Sequence, residues 1–128
     1  MTKNLLIILF LVMAASTQVQ AASIIGSWKS APQVDEDIKY TLLLEIAAEM
    51  TTMTTICEFE DQEARAEINF SSKIVGESYS ILEPASNTVD LDGYDCTAEV
   101  EPMSSDYKVS DTVLTIEIDG QKIKLTRM

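Results

Sequence analysis

The stretch YKVSDTVLTIEIDGQKIKLTR, residues 107–127, reads as a β-hairpin. Two alternating runs, Thr112 to Ile118 and Gln121 to Arg127, flank Asp119-Gly120, a pair that tolerates the positive φ angles of a type I′ turn. A two-residue loop sets Ile116 opposite Ile123, Leu114 opposite Leu125 and Glu117 opposite Lys122. The apolar pairs share one face and the charged pair takes the other, so turn chemistry and hydrophobic pattern select the same register. Arg127 falls in phase with Ile123 and Leu125 and therefore points inward, where a guanidinium needs a partner.

Period-two alternation continues through most of the chain upstream. Ile24 to Ser30 is a short run with Gly26 and Trp28 on one face, followed by a loop through Pro32 and the acidic Asp35-Glu36-Asp37. From Ile38 to Ile46, residues Ile38, Tyr40, Leu42, Leu44 and Ile46 form one strongly apolar face. Leu42 to Met53 also contains good helix formers, but the unbroken alternation and the threonine run that follows favour strand. Met53, Thr55, Cys57 and Phe59 are in phase on the next run, and Glu60-Asp61-Gln62 is polar enough to turn. Ala64, Ala66, Ile68 and Phe70 then mark an inner face whose small alanines suit a tight contact or the floor of a cavity. Ser71-Ser72 reads as the turn into a strand from Lys73 to Leu82. Pro84 to Asn87 separates that strand from Thr88 to Val100, and Pro102 to Asp106 is a further loop. The total is about eight strands and no convincing helix. An eight-stranded sheet can close on itself and remove its exposed edges, so an antiparallel up-and-down barrel is expected.

Met1 to Asn4 is a short basic start, Leu5 to Ala15 is apolar, and Val19-Gln20-Ala21 resembles a cleavage site. Residues 1–21 are therefore expected to be a signal peptide cut after Ala21 or Ala22, too short to span a membrane, which takes ~20 apolar residues. Residues 22–128 then form a single exported domain, periplasmic or secreted. Loss of Lys3 leaves 8 basic against 21 acidic residues, a net charge of −13. Such a charge disfavours nucleic acid and anionic membrane surfaces. The chain carries no histidine, which removes the usual general base and the commonest metal ligand. Neither catalysis, a cofactor nor a bound metal is expected. Asp90 to Asp95 looks like a calcium loop at first, but Tyr94 and Asp95 stand where that loop needs a ligand and a glycine, so it reads as a solvated turn. An even pair of cysteines in an exported chain implies one disulfide, Cys57 to Cys96.

Gly26-Ser27-Trp28 on the first strand and Arg127 ending the last resemble the lipocalin, or calycin, barrel. Tyr107-Lys108-Val109, Leu114-Thr115-Ile116 and Leu125-Thr126-Arg127 are similar to the terminal pattern of small bacterial lipocalin-like proteins. The resemblance implies a barrel closed where Gly26, Trp28 and Arg127 meet, with binding at the opposite mouth or in the interior. The chain is shorter than a typical lipocalin and shows no helix after the barrel. Two functions fit, both for a monomer. One is a carrier that holds a small apolar molecule among Tyr40, Leu42, Leu44, Phe59, Ile68, Phe70, Tyr79 and Ile116. The other is a protein-binding module, such as an inhibitor of an exported protease or other hydrolase. It would act through loops and the apolar lead Ala22 to Ile25, which could instead plug the barrel.

Overall fold

The computed structural model describes residues 22–118 and 120–128. The expected signal peptide, residues 1–21, and Asp119 of the last hairpin turn lie outside the described residues. Among the described residues every regular element is a strand: β1 (Gly26–Ser30), β2 (Gln33–Asp35), β3 (Ile38–Ile46), β4 (Met50–Phe59), β5 (Gln62–Val75), β6 (Ser78–Ile81), β7 (Ala85–Leu91), β8 (Tyr94–Val100), β9 (Met103–Val109), β10 (Val113–Ile118) and β11 (Gln121–Arg127). Eight of them form an antiparallel ring in the order β1-β11-β10-β9-β6-β5-β4-β3, which closes where β3 pairs back onto β1. The last hairpin holds the expected register, with Ile116 opposite Ile123, Leu114 opposite Leu125 and Glu117 opposite Lys122.

Three strands stand outside the ring, and each corrects the linear reading. The acidic loop after Pro32 contains β2, which turns into β3 through Glu36 and Asp37, both at positive φ. Ser71-Ser72 is not a turn. β5 runs 14 residues through it to Val75, because Ser72 is buried with its hydroxyl bonded to Thr51 Oγ1 at 2.9 Å, so the polar side chain is satisfied inside the strand. The chain turns at Gly76 instead. The stretch from Thr88 to Val100 is not one strand either. β7 and β8 form a hairpin about Asp92-Gly93, whose φ angles of 51° and 89° suit a two-residue turn.

The β7–β8 hairpin explains the small alanines. β6 pairs only with the last four residues of β5, from Ser72 to Val75, leaving residues 62–70 without a ladder partner on that side among the described residues. β7 lies beside this free edge, where the Asn87 side-chain amide donates to the carbonyl of Glu67 at 3.2 Å. β8 folds over the inner face of β4 and β5, with Cys96 against the backbone of Thr55 and Ala64. Ala64 and Ala66 leave room for it. Cys96 is joined by a disulfide to Cys57, and both are buried. The barrel therefore carries its own hairpin as part of its core, together with Ala98, Val100 and Leu91. A buried disulfide indicates an oxidising compartment.

Candidate functional site

At one end the ring is sealed by three residues. Trp28 and Arg127 are direct register partners, and the guanidinium carbon lies 4.2 Å from the indole centroid. The guanidinium also donates to the carbonyls of Asp111 and Ser23 at 2.8 Å and of Ile25 at 3.3 Å. The Trp28 indole N–H donates to Ile24 at 2.9 Å. Gly26 sits at φ 144°, and a Cβ there would fall 2.6 Å from Arg127 Nη1, so the close approach requires glycine. These bonds fold Ala22 to Ile25 over the end of the barrel with Ile24 buried, and the lead caps the fold rather than extending from it.

The eight residues expected to line a ligand chamber lie in or against the packed core. Leu44, Ile68, Phe70, Tyr79 and Ile116 are buried with Trp28, Leu114 and Leu125, while Tyr40, Leu42 and Phe59 pack against them, partly exposed. Phe59 also meets Tyr94 of the hairpin with ring centroids 4.9 Å apart. Three polar groups inside this core are paired. Tyr79 Oη and Thr51 Oγ1 are 2.6 Å apart, and Thr51 bonds in turn to Ser72.

Burial pushes the Tyr79 phenol above the ordinary tyrosine value, against a smaller opposing effect of its bonds to Thr51 and Ser72. A raised folded-state pKa means that the neutral phenol's stabilisation is complete below the unfolded value and is lost as pH climbs through the folded one. Melting temperature is expected to fall above about pH 10, and to fall less steeply in Tyr79→Phe. Equal alkaline slopes in the two proteins would show that Tyr79 ionisation is not the cause.

Open space occurs where the strands part. β9 and β10 pair from Val109 and Leu114 to Tyr107 and Ile116, then separate. The next backbone donor, Glu117 N–H, goes to the hydroxyl of Ser105 at 3.2 Å instead of to a strand partner. The divergence leaves a cleft of about 720 Å³ between β9 and the β10–β11 hairpin. Half-buried Met103 and Tyr107 supply most of its apolar surface, with Ile116 at its buried edge, and Glu77, Asp106, Glu117, Lys108 and Lys122 its charges. The Tyr107 hydroxyl donates to the Gly76 carbonyl at 2.9 Å, and its pKa is raised by burial first and by neighbouring Glu77 second. Of the expected chamber residues, Ile116 alone lines this cleft. The signal for it in the sequence is Ser105, a polar residue in phase with Met103, Tyr107 and Val109.

Among the described residues no group of three or more His, Cys, Asp or Glu side chains is placed to hold a metal. Asp90 to Asp95 forms the β7–β8 turn, with the Gly93 N–H directed at Asp90 Oδ2 at 3.5 Å. The closed eight-stranded ring is consistent with a lipocalin-like fold. A scan against protein-family models, a search of curated proteins and a search of solved structures each return no match.

Proposed function

We propose that this chain is a non-enzymatic, exported binding protein that holds a small apolar molecule with a polar end in the cleft between β9 and β10. The cleft volume of about 720 Å³ carries the reading, since ligand sites run from about 300 to 1,000 Å³ and combine an apolar surface with a few polar groups. The lipocalin resemblance supports carriage of this kind, and the packing of the eight expected chamber residues favours a ligand at the side of the barrel over one on its axis. Inhibition of an exported hydrolase has less support. The Ala22 to Ile25 lead proposed to reach a partner is held by Arg127, and Ile24 is buried.

The test is saturable 1:1 binding of anilinonaphthalene sulfonate, an apolar fluorophore with one anionic group, to the folded protein. Thr115→Trp places a large ring in the cleft wall from a partly exposed strand position. It should weaken binding at least about tenfold, or ~1.4 kcal/mol, with the melting temperature unchanged. Absence of saturable binding, or binding indifferent to this substitution, would remove the cleft as the site.

A further inference from the structure

A second gap in the barrel wall has the form of a missing strand. β1 pairs with β11 only from Trp28 and Arg127 to Ser30 and Leu125. Two residues later comes Pro32, which has no N–H to offer a ladder, and the chain leaves β11 and resumes as β2, paired to β3 alone. β11 therefore loses its neighbour along Gln121 to Lys124. A cleft of about 410 Å³ takes the neighbour's place, with Ser30 and Gln33 on one side and Lys122 to Lys124 on the other.

The phase of the ladder says which groups face that cleft. The Arg127 N–H donates to Thr112 across β10, and the Met128 N–H donates to Ser27 across β1, each at 2.9 Å. Backbone groups of Arg127, Leu125, Ile123 and Gln121 thus point toward β10, while those of Thr126, Lys124 and Lys122 point the other way. Thr126 meets Lys29 of β1. On that side Lys124 and Lys122 meet no strand among the described residues, so two N–H and two C=O groups stand in line at the edge of a gap. Both side chains are exposed, and among the described residues the ion pairs use Lys39 and Arg65, not these lysines.

We propose that the free edge of β11 accepts an extended segment of another protein as an added strand, and that the segment carries acidic residues at alternate positions. Main-chain bonds to Lys122 and Lys124 would supply the attachment. Residues opposite the two lysines lie on the lysine side of the sheet, where carboxylates meet two positive charges. The residue between them falls on the side of half-buried Ile123 and should be apolar. Edge lysines repel neutral or basic strands, so the same side chains that guard the edge select an acidic one.

The probe is an acetylated, amidated seven-residue peptide alternating valine and glutamate. On titration it should shift the Lys122 and Lys124 amide resonances and slow their hydrogen exchange. Lys124→Glu should weaken binding about tenfold through like-charge opposition, and a peptide N-methylated at its glutamates, whose N–H groups face β11, should not bind, whereas one N-methylated at its valines should. The Ser105 and Tyr107 amides of β9 should not shift, which separates this binding from occupation of the β9–β10 cleft. Equal binding of a valine–lysine peptide, or protection elsewhere than at Lys122 and Lys124, would overturn the proposal. So would protection of these amides by concentration-dependent dimerisation without peptide, because the occupant would then be a second copy.

Discussion

Trp28→Ala is expected to lower the unfolding free energy by about 3 to 5 kcal/mol, the range for deleting a buried aromatic side chain. Trp28 is fully buried, and its strand is the seam of the ring, paired to β11 on one side and β3 on the other. Truncation removes the apolar bulk and leaves the Ile24 carbonyl without its indole donor. The guanidinium of Arg127 loses the ring beneath it but keeps its bonds to three carbonyls. A double-mutant cycle with Arg127→Ala should then report a coupling of roughly 0.5 to 2 kcal/mol, the contribution of a cation above an aromatic face. Urea denaturation of the four proteins measures both quantities. A loss below about 2 kcal/mol for Trp28→Ala would mean that the ring does not depend on this seam.

The seam and the last hairpin were legible because each rests on local chemistry. Asp119-Gly120 between two alternating runs specifies a register, and an inward arginine points to a partner that the first strand can supply. The β7–β8 hairpin carried the same signal and was obscured by its acids. Asp92-Gly93 is again an Asp-Gly pair between apolar alternations, and the phase changes across it, with Val89 and Leu91 before and Cys96, Ala98 and Val100 after. One strand cannot keep both sets on a single face, so the phase change marks a turn. Ser71-Ser72 misled in the opposite direction. Two serines suggest a loop until a buried threonine and tyrosine are found to satisfy one of them, and that pairing joins residues far apart in sequence. The candidate sites were the least legible. Ser105 and Pro32 are visible in the chain, but whether neighbouring strands part at those positions depends on how the whole sheet coils to close.

Removing the disulfide with Cys57→Ala and Cys96→Ala together is expected to destabilise the protein by about 4 kcal/mol on the chain-entropy model, within the usual 2 to 5. The bridge spans 39 residues of sequence, and its two ends belong to different structural units. Cys57 is on β4 within the ring, whereas Cys96 is on β8, whose ladder partner is β7 rather than any strand of the ring. Without the bridge, attachment rests on apolar packing over Ala64 and Ala66, the Asn87 bond to Glu67 and the contact of Phe59 with Tyr94. The hairpin should therefore open before the ring does, as a local unfolding event of lower free energy than the global one. Hydrogen exchange measures the difference. Amides of β7 and β8 should lose protection by more than those of β3 and β4, and the uncovered alanine face should raise anilinonaphthalene sulfonate fluorescence even in Thr115→Trp, where the β9–β10 cleft is blocked. Equal loss of protection in hairpin and ring would show instead that the two fold as one cooperative unit, with the disulfide acting on the whole unfolded chain rather than on the docking of the hairpin.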